Sequence, residues 1–195
     1  RFNILNEKVH KFVVVESKFS HSGQEKKLNF DIENYKKFKD KIIYLVIENE
    51  PENLLKIEKT NDSAGIERSN SLKRIEQSYE VLQKGINEAE ENDLILLSDN
   101  DEIPNLESIK LKNSKKDILI FRHLFFYYKF NLLNDAMFWY GTKACKKKKL
   151  ISMPWLRNIK NKKYPLWRLD TFFSNKKYTS LDIVEDGGWH FTNLK

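Results

Sequence analysis

Apolar residues along this chain come in two rhythms. Phe12–Val15 (FVVV), Ile42–Ile47 (IIYLVI), Leu94–Leu97 (LILL) and Ile118–Phe121 (ILIF) are short unbroken runs. Such runs have the length of strands and lack polar alternation, which predicts strands buried on both faces. Leu72, Ile75, Tyr79, Leu82 and Ile86 recur instead at spacings of 3, 4, 3 and 4. That is one face of an amphipathic helix of several turns. Leu124–Phe130 (LFFYYKF) predicts a further, aromatic-rich strand, and Tyr35–Lys41 a short polar helix. Ser22-Gly23 marks a turn, and Pro51–Gly65 reads as a polar loop with room for one helical turn. Lys146–Tyr164 is basic and is expected to be irregular around Pro154 and Pro165. With a helix expected near Pro104, the order strand, strand, helix, strand, helix, strand, strand is an α/β pattern with extra strands toward the C-terminus. No internal repeat or Pro/Gly/Ser-rich linker interrupts it, so one domain over residues 1–195 is the economical expectation.

The third apolar run leads directly into Ser98, Asp99, Asn100, Asp101, Glu102, Ile103 and Pro104 (SDNDEIP). Ligand sites in open α/β sheets lie at the C-terminal ends of strands, and this is where three carboxylates crowd together. Close carboxylates repel unless a cation lies between them. Asp-x-Asp offers hard oxygen ligands suited to Mg²⁺ or Mn²⁺, which can in turn hold a diphosphate. The plainer alternative is an acidic turn capping a helix that begins near Pro104.

A second segment, Glu185–Phe191, reads EDGGWHF. Gly187-Gly188 permits a tight turn or close backbone approach. Trp189 offers a flat apolar face for a sugar ring or a base, and His190 a metal ligand or proton acceptor. Taken alone, a glycine turn followed by a packed Trp and a hydrogen-bonded His is the commoner outcome. Whether this segment lies near Asp101 is a question for the structure.

Composition narrows the alternatives. The 195 residues are 40% hydrophobic and 13% aromatic, which makes a globular chain with a real core. A net charge of +7 raises the question of a nucleic-acid or anionic-membrane partner. Of the 35 Lys and Arg only six are Arg, and the basic residues are dispersed apart from Lys146–Lys149. A reader of nucleic acid would be expected to use more Arg, so no nucleic-acid partner is expected. The lone Cys145 excludes an internal disulfide and a Cys-based zinc cluster. No apolar run approaches the roughly 20 residues of a membrane span, no secretory signal is evident, and no GxGxxG, Walker or GxSxG motif is present. The dense motif close to Lys195, and a start at Arg1 rather than Met, suggest a domain truncated at both ends.

SDNDEIP and GGWHF together, with DILIFRHLFFYY and the run from Gly141 to Arg168, resemble glycosyltransferase family 17, the family of enzymes that add the bisecting N-acetylglucosamine to N-glycan cores. The resemblance covers most of the chain, and the opening 23 residues look like the family's start after its first strand. It implies a GT-A-like, Rossmann-type mixed sheet flanked by helices, lacking its first strand here. It also implies a metal-assisted, inverting transfer of a sugar, with UDP-N-acetylglucosamine as donor and a glycan or lipid-linked saccharide as acceptor. Carried over by residue, Asp101 is the chief metal ligand, with Asp99 and His190 as further ligands to Mn²⁺ or Mg²⁺. Asp99, Glu16, Ser17, Trp189, Arg157 and Arg168 are the expected donor contacts. Glu102, Asp186 and Glu185 are the candidates for catalytic carboxylates. Ser78-Tyr79-Glu80 stands where the family often has a Gln-Arg-Asn cluster.

Tyr127, Tyr128, Trp139 and Trp155 are weighed as an acceptor platform against ordinary packing. Lys146–Lys149 is weighed as a peripheral membrane contact against a solvated loop. The bacterial branch implies the cytoplasm or the cytoplasmic face of a membrane, and a eukaryotic relative the Golgi lumen. The competing functions are a metal-dependent phosphoryl hydrolase and an inactive fragment of the same fold.

Overall fold

A computed structural model describes residues 1–56, 63–108, 113–165, 167–178 and 180–194. The chain divides into two compact units, Phe2–Glu88 and Ala89–Lys195, with Arg1 belonging to the second.

The first unit contains α1 (Phe2–Leu5), β1 (Phe12–Ser17), a 3₁₀ segment (Ile32–Lys41) kinked at Tyr35, β2 (Ile42–Ile47) and α2 (Ser63–Lys84). β1 and β2 pair in parallel, from Phe12 opposite Ile42 to Ser17 opposite Ile47, and α2 packs on both. The helix begins well before its first regular apolar position. The reason is Asn70, which is buried and exchanges two 2.8 Å hydrogen bonds with the backbone N–H and C=O of Leu55. A polar side chain that mimics a strand partner occupies the inner face there, so the apolar period is silent. Leu72, expected inside, is 57% exposed. The part of the expected Pro51–Gly65 loop at residues 57–62 lies outside the described residues.

Glu16, at the end of β1, is saturated from within its own unit. Its carboxylate accepts from Lys26 Nζ (2.7 Å), the backbone N–H groups of Asn29 (2.8 Å) and Phe30 (2.9 Å), and Tyr44 Oη (3.1 Å). Burial, the largest single influence, pushes its pKa up, but the four donors together outweigh it and hold the carboxyl at about 2. Because the folded pKa lies below the ordinary value, the stabilisation is complete above about pH 4.5 and is lost as pH falls toward 2. Discounted for solvent screening, the shift is worth roughly 1–2 kcal/mol. Glu16→Gln should therefore flatten the acid limb of the stability curve between pH 5 and 2. Parallel curves for the two proteins in urea titrations would refute this.

The second unit is built on a six-stranded mixed sheet. Its strands are β3 (Leu94–Leu97), β4 (Glu102–Pro104), β5 (Ile118–Tyr127), β6 (Leu133–Lys146), β7 (Leu181–Val184) and β8 (Gly188–Thr192). The order is β3-β6-β5-β8-β4, with β7 pairing to β5 in line with β8. β5 and β6 form an antiparallel hairpin, β7 and β8 run parallel to β5, and β4 runs antiparallel to β8. Helix α3 (Met153–Asn158) packs on β6 and β3. It is capped by Ser152, whose hydroxyl accepts from Trp155 N–H. Leu119, Phe121, Ala144 and Val184 form the buried centre.

The expected mixed α/β class stands, and several elements are corrected. Ile118–Phe121 and Leu124–Phe130 are not two strands, because β5 runs unbroken to Tyr127. Two of the runs expected to be buried on both faces are not: Phe12–Val15 is half-buried throughout, and Leu94–Leu97 alternates, with Ile95 and Leu97 inside and Leu94 36% exposed. Glu102–Pro104 is a strand and not a helix start, and residues 109–112, where that helix would continue, lie outside the described residues. The 14-residue β6 has no counterpart among the elements that the apolar pattern predicts. Its outer half is exposed and its inner half is interrupted by Gly141 and Lys143, so neither periodicity appears.

Candidate active site

The two informative segments are hydrogen-bonded neighbours. Glu102 lies opposite His190, Ile103 opposite Trp189 and Pro104 opposite Gly188. Beyond the ladder, Phe191 N–H donates to Asp101 O (2.8 Å) and Asn105 N–H to Gly187 O (2.9 Å). The glycine turn makes this approach feasible. Gly188 has φ +116°, and a Cβ there would lie 2.1 Å from the Ile103 carbonyl oxygen.

Glu102 is completely buried beneath the aspartate turn. One carboxylate oxygen accepts from Trp139 Nε1 (2.7 Å), the other from Asp99 N–H (3.0 Å) and Thr142 Oγ1 (3.2 Å). Gly141 leaves the space it needs, since a Cβ at that position would meet Glu102 Oε1 at 2.0 Å. Burial pushes the Glu102 pKa up, the three donors oppose the shift, and the charge of Asp99 adds to it. A sealed carboxylate with three donors holds the turn in place. It does not present an oxygen to an acceptor hydroxyl. Of the supporting residues, the sequence offers Trp139 only as a candidate acceptor platform and carries no signal for Gly141 or Thr142. Nothing in β6 announced a strand, so nothing placed them beneath Glu102.

Asp99 turns toward two guanidinium groups. Its carboxylate accepts from Arg157 Nη2 (2.9 Å) and its carbonyl from Arg1 Nη1 (2.8 Å). Arg157 is in the last turn of α3, and the end of that helix is fastened from below by Lys143. Buried Lys143 donates to the carbonyls of Arg157 (2.6 Å) and Ile159 (2.5 Å). Burial, reinforced by the charge of Arg157, lowers its pKa to about 8. Lys143→Met keeps the stem but strands both carbonyls, and should cost about 2–4 kcal/mol. A chemical-denaturation midpoint unchanged from wild type would show that these bonds are dispensable.

Asp101 is the exposed member of the trio, with its side chain 42% accessible. Its Oδ1 lies 3.6 Å from Nδ1 of His190, a buried atom with no hydrogen-bond partner. The imidazole packs against two neighbouring rings, stacked on Trp139 (4.4 Å between centroids) and Phe125 (5.2 Å). Burial lowers its pKa, which favours the neutral ring with a lone pair free to bind. His123, completely buried on the neighbouring strand, has both ring nitrogens unpartnered, and burial followed by the charge of His190 holds its pKa at about 4. A cleft of about 350 Å³ opens at Asp101, lined also by Arg1, Asn100, Ile103, Phe130 and Phe191.

The donor set at this point is a carboxylate and an orphaned imidazole. Among the described residues no three His, Cys, Asp or Glu side chains converge as a ready-made metal cage. The pair fits a Mg²⁺ or Mn²⁺ ion that keeps most of its shell for phosphates and water, and not one caged by protein alone.

The remaining candidates are dispersed. Glu185 pairs with Arg122 (2.8 Å) and Asp186 accepts from Asn105 Nδ2 (2.8 Å), both on the exposed turn before β8. Alternation along β8 puts Trp189 on the opposite face from His190, beside Ile103 and Leu124. Arg168 is engaged by Asp170 in an outlying loop. Trp155 is buried and bonded to Asn175 O and Tyr178 Oη, which makes it packing. Glu16 and Ser17 belong to the first unit, where Glu16 has four internal donors and Ser17 Oγ accepts from Phe19 N–H (3.0 Å).

The model of glycosyltransferase family 17 matches residues 1–152. No curated protein and no solved structure matches the chain. The match takes in the first unit and the second as far as Ser152, including the aspartate turn and all of β6. It stops short of β7 and β8, so the segment Glu185–Phe191 is tied to that turn by the β4–β8 ladder. With the greater part of its length matched, this chain belongs to glycosyltransferase family 17 and is a sugar-transferring enzyme.

Proposed function

We propose that the enzyme is a metal-assisted, inverting glycosyltransferase of GT-A type that takes N-acetylglucosamine from UDP-N-acetylglucosamine and passes it to a glycan or lipid-linked saccharide. One observation carries this reading: the partly exposed Asp101 carboxylate, which lines a cleft, lies 3.6 Å from an unpartnered, buried His190 nitrogen. Asp101 and His190 would hold the ion, Mn²⁺ or Mg²⁺. When bound, such an ion offsets the charge of the departing diphosphate as a Lewis acid.

The chain's own residues do the rest. Glu102 fixes the turn so that Asp101 needs no rearrangement at the moment of reaction. Arg157 neutralises Asp99 and brings a guanidinium to the turn. Inversion requires a base within hydrogen-bond reach of the acceptor hydroxyl. Glu102 is sealed, and Glu185 and Asp186, although exposed before β8, lie at the Asn105 end of the β4–β8 ladder, away from Asp101.

The test is calorimetric titration of UDP-N-acetylglucosamine and of UDP with and without Mn²⁺, on the wild type, Asp101→Ala and His190→Ala. Manganese-dependent binding that disappears in both variants is expected. Binding that persists in chelator or in both variants would refute the metal site, and absence of any UDP-sugar binding would refute the donor.

A further inference from the structure

Between α3 and β7 the chain makes an excursion that the candidate site does not use. Its arms are tied where Lys160 N–H donates to Lys176 O (2.8 Å). Its base is bolted to α3 by buried Trp155, whose Nε1 donates to Asn175 O (2.8 Å) and Tyr178 Oη (3.0 Å). At the far end is a 3₁₀ turn, Leu169–Thr171. Such a turn brings side chains three apart to one side, here Leu169 and Phe172. Trp167 is 78% exposed, Leu169 72%, Phe172 72% and Phe173 92%. Four large apolar side chains within seven residues, held outward by a fastened stem, mark a surface made to meet something.

The charge around them is one-sided. Lys160, Lys162, Lys163 and Lys176 are exposed along the arms. The single acidic residue between 160 and 178, Asp170, is neutralised by Arg168 (2.7 Å) and Lys177 (2.7 Å). Trp and Phe at the tip with lysines behind is the arrangement that seats a segment at the boundary of headgroups and acyl chains. Flexible ammonium groups suit the diffuse negative charge of lipid phosphates. A protein interface would be depleted in Lys, and a nucleic-acid reader would favour Arg.

We propose that the tip Trp167–Phe173 is a membrane-docking element, inserting its apolar side chains into an anionic bilayer while the lysines of its arms meet the lipid phosphates. This does not depend on the identity of the sugar donor. It relocates the membrane contact expected at Lys146–Lys149 to a surface that also carries apolar anchors.

The experiment is co-sedimentation of the protein with phosphatidylcholine vesicles with and without phosphatidylglycerol, read alongside tryptophan emission. Binding only to the anionic vesicles is expected, with a blue shift that Trp167→Phe removes and a loss of binding at high salt. Trp167→Ser/Phe173→Ser should weaken binding about tenfold or more. Its melting temperature should not change, because the replaced side chains are exposed. Lys160→Gln/Lys162→Gln/Lys163→Gln should weaken binding through the charge arm alone. A wild type that ignores anionic vesicles, or a serine variant that binds them equally, overturns the proposal. A serine variant that only converts a dimer to a monomer does so as well, since the tip would then cover a second copy of the chain.

Discussion

Replacing Asp101 by Asn should lower kcat/KM for sugar transfer by roughly 10²–10³-fold while leaving the melting temperature unchanged. The two halves of that expectation have separate causes. Asp101 has the most accessible carboxylate of the aspartate turn, so its charge is available to a ligand. The hydrogen bond from Asp101 to β8 is made by its backbone, Phe191 N–H to Asp101 O, and Asn preserves it. Asn also keeps the shape while removing the charge. The measurement is steady-state kinetics over a range of Mn²⁺ concentrations, with thermal melts as control. Activity within about threefold of wild type would remove Asp101 from the reaction, because loss of a charge facing a developing charge costs more than that.

Glu102→Ala should show the opposite pattern, a stability loss of roughly 3–5 kcal/mol together with loss of activity. The alanine strands Trp139 Nε1–H and Asp99 N–H and leaves Thr142 Oγ1 with Ser98 Oγ as partner, three groups that converge on one buried carboxylate. Glu102→Gln separates a positioning role from a catalytic one. Gln keeps an acceptor on one side but turns an N–H₂ toward donors on the other, so stability and activity should fall together, each by less than in the alanine variant. A Gln variant with wild-type stability and no activity would make Glu102 the base, contrary to its burial. Denaturant titration and kinetics on the same two proteins decide it.

Much of this was readable in the sequence, for identifiable reasons. Phe12–Val15 and Ile42–Ile47 are apolar throughout and bounded by polar residues, and both are strands. α2 was found from its second half, and its first half was masked by Asn70 working as an internal partner. The sheet of the second unit was harder. β6 has exposed outer residues and a buried lysine, and β7 and β8 are short pieces flanking a glycine turn. Their pairing is non-local, and non-local pairing leaves no periodic trace. The candidate site followed the same rule. Asp99, Asp101 and His190 stand out as residue types, whereas Trp139, Gly141, Thr142 and Lys143 matter only because of what lies above them. Glu102 looked like a third member of an acidic cluster because sequence does not reveal burial.

The β4–β8 ladder also sets the order in which this enzyme can come into being. Strand β4 finds its partner about 85 residues later in the chain, a long loop to close and so a slow contact to form. During synthesis the aspartate turn emerges with Glu102 and three donors that have not yet met, and the histidine facing Asp101 is still unmade. The ladder cannot form until β8 has been translated. A nascent chain arrested before Gly188 would therefore hold the sequence of its aspartate motif without the geometry. Pulse proteolysis on stalled chains should find this region cleavable until β8 clears the ribosome and protected soon after.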